Sequence, residues 1–148
     1  MVVLSASDIA RLLHREPPMV LIDKVTSIVP NKSCEAFKNV SYNEWFFPSH
    51  FPCNPIMPGS LQIECFTQVV ALPLVFARVN SVSGDFPLLL AGVDKVRFFS
   101  PVRPGDRFEL SAEIKRNALG VVLAVCEAFV SGKKVSECQI TYRDIDVR

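Results

Sequence analysis

Apolar and polar positions along this chain fall into a few segments that read as either helix or strand. Residues 88–99, 107–118, 121–131 and 134–145 are rich in Val, Ile, Leu and Phe and read as four successive strands. Turn signals separate them: Pro104-Gly105-Asp106, the stretch from Asn117 to Gly120, and Ser131-Gly132-Lys133. Upstream, an apolar helix begins near Gly59 and runs at least to Leu72. Pro73 lacks an amide hydrogen and crowds the carbonyl four residues back, so the helix is predicted to kink or end there. Nearer the start, Ser7-Asp8 offers an N-cap for a short helix to Leu13, with Ile9, Leu12 and Leu13 on its apolar side, closed by Pro17-Pro18. Residues 19–28 read as a strand interrupted by Asp23 and Lys24, Pro30-Asn31 as a turn, and residues 34–40 as a second strand. Residues 43–58, punctuated by Pro48, Pro52, Pro55 and Pro58 and by Trp45, Phe46, Phe47 and Phe51, form a long structured loop. A helix apolar on nearly all sides must be buried on nearly all sides. The pattern predicts an α+β fold, an antiparallel sheet curved around one central helix, with a second subunit covering what the sheet leaves open.

Composition narrows the class. The 148 residues are 49% apolar and 21% charged with a net charge of +1, which fits one globular domain over residues 1–148 and argues against nucleic-acid binding. The cysteines, at 34, 53, 65, 126 and 138, form no Cys-x-x-Cys pair, and the two histidines, His14 and His50, lie far apart. A zinc site is not expected, and reduced thiols in a cytoplasmic protein are. The start has no basic n-region, and the apolar stretch 69–77 contains Pro73 and is too short for a bilayer, so neither a signal peptide nor a membrane span is expected.

The chemistry concentrates between Ser49 and Gln68. Helical spacing places Ser60, Glu64 and Gln68 on one face, with Gln62 and Thr67 pointing elsewhere. A polar stripe on a buried helix needs partners or a cavity. The first amides of that helix, at Gly59, make a natural site for a carbonyl oxygen. His50, in the loop feeding the helix, has a side chain that can act as a base near neutral pH. Base, acid and carbonyl-polarising amide together suit proton abstraction next to a carbonyl with protonation of a leaving hydroxyl. Taken alone, the same His and Glu also fit a purely structural role.

The stretch His50-Phe51-Pro52-x-x-Pro55-Ile56-Met57-Pro58-Gly59-x-Leu61-x-x-Glu64-x-x-x-Gln68 resembles the signature of the FabZ-type β-hydroxyacyl-acyl carrier protein dehydratases. The resemblance extends to Leu13-His14-Arg15-x-Pro17, Leu21-Ile22-Asp23-Lys24-Val25, Asn43-Glu44-x-Phe46-Phe47, Asp94-Lys95-Val96-Arg97-Phe98 and Pro101-Val102-x-Pro104-Gly105-Asp106, in order across nearly the whole chain. It implies a hotdog fold, and a homodimer with two active sites at its interface, commonly assembled as three dimers in a hexamer. It implies that His50 acts on the C2 proton and that Glu64 of the facing protomer serves the 3-hydroxyl. The Gly59 amide would bind the thioester carbonyl, and Gln68 would orient the acid. The implied product is a trans-2-enoyl thioester, the partner an acyl carrier protein, and no cofactor or metal is called for. Glutamate at 64, rather than aspartate, favours this type over the dehydratase-isomerases.

The chain also departs from the pattern. Ser49 stands where glycine is usual, and a positive φ there would strain its β-carbon. Ser60, Cys65, Phe66, Thr67, Pro73 and the pair Phe99-Ser100 differ as well, and put substrate shape and partner docking in question. Phe47, Phe51, Phe98 and Phe99 read most simply as core, while the resemblance makes Phe51, Pro58, Phe98 and Phe99 candidates for an acyl tunnel. Lys95, Arg97, Arg103 and Arg107 read as a solvated face or as a docking patch for an acidic carrier protein. His14, at a helix end before two prolines, reads as structural. The alternatives are a hotdog thioesterase and a non-catalytic acyl-binding subunit. The intact motif from His50 to Gln68 argues against the first, and the retained His50 and Glu64, which a binder does not need, argue against the second.

Overall fold

The computed structural model describes residues 2–79 and 88–145. In chain order the elements are β1 (Leu4–Ser5), α1 (Ala6–Leu13), β2 (Lys24–Val29), β3 (Ser33–Asn39), α2 (Gly59–Phe76), β4 (Leu88–Phe98), β5 (Arg107–Ala118), β6 (Val121–Val130) and β7 (Lys133–Asp144). The strands form one antiparallel sheet in the order β1-β2-β3-β5-β6-β7-β4. Helix α2 lies in its concave face against β3, β5 and β7, with α1 packed beside it. This is the α+β hotdog architecture.

The long strands begin and end almost where the sequence places them, because residues at positive φ punctuate them: Gly105, Leu119 with Gly120, and Ser131 with Gly132. On β7 the alternation puts Ser136, Cys138, Ile140 and Tyr142 against the helix and leaves Glu137 and Gln139 partly exposed. The core runs from Ile9 and Leu13 through Phe66, Val69, Val70 and Leu72 to Phe108, Val122 and Ile140.

Three local expectations change. The first helix is capped by Ser5 rather than Ser7. Ser5 and Asp8 exchange hydrogen bonds in a capping box, and a two-residue strand precedes it. Its end is set by His14 in the left-handed region, whose amide donates to the carbonyls of Ala10 and Arg11, the structural role anticipated for this residue. Residues 19–23 are not strand. The Gln68 side chain occupies the backbone groups of Met19 and Leu21 that a neighbouring strand would have used. Helix α2 does not end at Pro73 but continues to Phe76, with every residue from Cys65 to Val75 buried. Its 18 residues are thus long and apolar enough to cross a bilayer, contrary to the reading of 69–77 alone. Here that length is the core of a folded sheet.

All five cysteines are free thiols. Cys126 and Cys138 face each other across β6 and β7.

Candidate active site

His50 is held by the loop before α2. Its amide donates to the carbonyls of Phe46 and Phe47 at 3.1 and 3.3 Å, and its carbonyl accepts from Ile56 at 3.0 Å. The ring nitrogen Nδ1 lies 2.8 Å from the Ile56 carbonyl oxygen. A carbonyl only accepts, so Nδ1 carries the hydrogen, and Nε2 is the nitrogen whose lone pair is open whenever the ring carries one hydrogen. Phe51 stacks on the imidazole at 4.1 Å. Val102 receives the Met57 amide at 2.8 Å, and Arg103 holds Asn54 at 2.7 Å, so the segment before β5 fastens this loop in place.

His50 opens into a cleft of about 440 Å³ lined by Met57, Gly59, Gln62, Phe98 and Phe99 among others. Gly59 begins α2, and no side chain caps that end. A β-carbon at Gly59 would meet the Phe98 ring at 2.8 Å, so glycine is what lets Phe98 lie across the start of the helix. The arrangement brings an imidazole and a helix N-terminus into one cleft.

Glu64 does not line that cleft within the same chain. It is half-buried on the face shared with exposed Ser60 and buried Gln68. Its Oε1 accepts from Gln68 Nε2 at 2.9 Å, and Arg15 lies 3.8 Å away. The Gln68 amide also donates to the Met19 carbonyl at 2.6 Å and accepts from the Leu21 amide at 3.1 Å. A side chain fixed at three points gives Glu64 one fixed neighbour. Behind this face, Tyr142 donates to the Thr67 carbonyl at 2.9 Å; burial, with a smaller contribution from the Glu64 charge, pushes its hydroxyl up to about 12. Burial likewise pushes the Cys65 thiol well up, leaving it a neutral packing group.

The remaining positions sort by burial. Of the aromatics read as core, only Phe47 is buried. Phe51, Phe98 and Phe99 are about half exposed, since they stand at the cleft mouth and beside the sheet's β4 edge. Phe98 and Phe99 line the cleft, whereas Phe51 only stacks on His50 and Pro58 is the N-cap residue of α2. Ser49 has no positive φ, so its β-carbon carries no strain there. Cys65, Phe66 and Thr67 are buried and do not line the cleft. Lys95 and Arg97 are exposed on β4, whereas Arg103 is tied to Asn54, and Arg107 stacks over Phe37 at 3.7 Å and pairs with Glu109. Gln62, given no role from sequence, proves to line the His50 cleft. Its spacing of three from Gly59 was the available signal.

The FabA-like domain family model matches residues 12–139. Curated relatives include the 3-hydroxyacyl-[acyl-carrier-protein] dehydratase FabZ of Wolbachia sp. subsp. Brugia malayi, 38% identical over 134 residues, 90% of this chain and 92% of that protein. Another is the FabZ of Enterococcus faecalis, 36% identical over 140 residues and 95% of each chain. Among solved structures, the dehydratase heterocomplex ApeI:P from Xenorhabdus doucetiae has a TM-score of 0.78 at 17% identity, covering 92% of this chain and 90% of that one, a likeness of fold. Family model, relatives and fold agree: the chain belongs to the FabA-like family of hotdog proteins, with the FabZ-type dehydratases.

Proposed function

We propose that this protein is a hydro-lyase that converts a 3-hydroxyacyl thioester on acyl carrier protein into the trans-2-enoyl thioester and water. The observation that carries the reading is His50, with Nδ1 committed to the Ile56 carbonyl and Nε2 left open in a cleft that begins α2 at Gly59. The Gly59 amide receives the thioester carbonyl oxygen, which acidifies the C2 proton, and Nε2 removes that proton. Glu64, oriented by Gln68, delivers a proton to the 3-hydroxyl as the C3–O bond breaks. The chemistry calls for no cofactor.

Because Glu64 is absent from its own chain's cleft, the acid comes from a second copy. The half-exposed apolar side chains of Leu89 and Leu90, on the edge strand β4, support pairing of two copies there. A homodimer with two shared sites follows, and three such dimers would make a hexamer. Phe98 and Phe99 would then guide the acyl chain, and exposed Lys95 and Arg97 would meet the acidic carrier protein. The test is incubation with a 3-hydroxyacyl carrier protein and resolution of the products by mass. Loss of water with the thioester retained supports the reading. Release of free carrier thiol would mean a thioesterase, and binding without conversion an acyl-binding subunit.

A further inference from the structure

Among the described residues, two buried side-chain oxygens have no hydrogen-bond partner, Gln62 Oε1 and Ser136 Oγ. Ser136, on β7, does not line the His50 cleft; Gln62 does. Gln62 is only 3% exposed, so water does not readily satisfy its oxygen. The orientation of its amide is set: the Nε2 end donates to the Met57 carbonyl at 3.4 Å, and a flipped amide would place oxygen against oxygen there. A residue of the cleft wall therefore carries a buried acceptor that lacks a donor, one helical turn beyond Gly59.

We propose that Gln62 is a substrate-recognition residue whose Oε1 accepts a hydrogen bond from the 3-hydroxyl of the acyl thioester. This rests on the dehydratase reading and deepens it. An acid that protonates the leaving oxygen must donate to one of its lone pairs, so the hydroxyl's own hydrogen has to point at a different acceptor. Gln62 Oε1 supplies one and turns a lone pair toward Glu64. The balance is then complete. The C2 proton goes to His50 Nε2, the C3–O bonding pair leaves with oxygen, and that oxygen departs as water with its original hydrogen and the proton from Glu64. The product has no donor at C3, so the acceptor is orphaned again, and the site favours hydroxylated substrate over enoyl product.

The test uses a full-length His50→Ala chain, which binds without turnover. Dissociation constants are measured for 3-hydroxybutyryl-, butyryl- and 3-fluorobutyryl-pantetheine, fluorine matching the hydroxyl in size without a hydrogen to donate. The hydroxyl compound should bind about tenfold or more tightly than either analogue, the range expected for a donor that satisfies a buried acceptor. Adding Gln62→Met should bring all three within about threefold, mainly by weakening the hydroxyl compound. Equal binding of hydroxyl and fluoro compounds to the parent would overturn the proposal even if the methionine variant failed to fold. A hydroxyl preference that survives Gln62→Met would overturn it as well. A wild-type chain that does not dehydrate the carrier-bound substrate sinks the dehydratase reading itself. Normal dehydration without a hydroxyl preference sinks only the role of Gln62.

Discussion

Replacing Gln68 with leucine removes three interactions through one side chain, and each can be weighed. The Leu21 amide, in a residue 1% exposed, is left as a buried unsatisfied donor at a cost of about 1–3 kcal/mol. Met19 is more open, so water takes over its carbonyl and the loss there is about 0.5–1 kcal/mol. Glu64 loses its neighbour at Oε1 but keeps access to solvent. Gln68→Leu should therefore destabilise by about 2–4 kcal/mol, lowering Tm by roughly 5–15 °C for a chain of this length. The freed Glu64 should lower dehydration about tenfold to a hundredfold. Thermal and urea unfolding at fixed protein concentration, with turnover of a 3-hydroxyacyl carrier protein, measure both. Gln68→Glu keeps an acceptor for Leu21 but sets a carboxylate against Met19 and Glu64, so its turnover should fall at least as far. A leucine variant within about 0.5 kcal/mol of wild type and with normal turnover would refute the argument.

Other outcomes follow from burial and charge. Burial raises the Cys34 thiol to about 12 and pushes the Cys65 thiol well up, the facing Cys138 and then burial do the same to Cys126, and Cys138 is buried, so at pH 8 iodoacetamide should label exposed Cys53 alone and all five cysteines only in denaturant; a second rapid adduct on the native protein would contradict this packing. Tyr142 keeps its proton in the folded state up to about 12 while the unfolded chain loses it near 10, so its contribution is fully present below pH 10 and is lost as pH rises through that window. Urea unfolding at pH 9 to 11 should show a fall that Tyr142→Phe flattens, and equal slopes would dismiss this cause. Lys95→Glu with Arg97→Glu should raise KM for carrier-bound substrate about tenfold at low salt and leave a pantetheine thioester unaffected; equal effects on both would exclude carrier docking there.

Much of the fold was legible because local signals agreed with the global one. Gly105 takes positive φ just before β5, and Gly120 and Gly132 do so just after β5 and β6 end, so turn chemistry and alternation gave one answer. The central helix was legible as a buried rod, but its length was not. The rule that proline stops a helix, worth roughly 3 kcal/mol, yields where residues on both sides of Pro73 are packed into the core. The segment after Pro18 was misread because its backbone is satisfied by a side chain 47 positions away, which no local pattern records. The motif pointed to His50 and Glu64, and the resemblance set them on facing protomers, but neither pointed to Phe98 lying over Gly59, since that depends on how distant elements pack. The orphaned oxygen of Gln62 exists only once its surroundings are in place.

The central claim is that His50 of one copy and Glu64 of another remove water from one substrate. His50→Ala and Glu64→Gln, each alone, should lose about 10²–10⁴-fold in dehydration while remaining folded oligomers. Co-expressed with distinct tags, the two chains form heterodimers in which one site draws both mutations and the other draws neither. Random pairing then predicts recovery of about a quarter of wild-type activity, carried by the doubly tagged fraction. Activity in that fraction no higher than in either mutant alone, with subunit mixing demonstrated, would place both residues in one protomer and contradict the account.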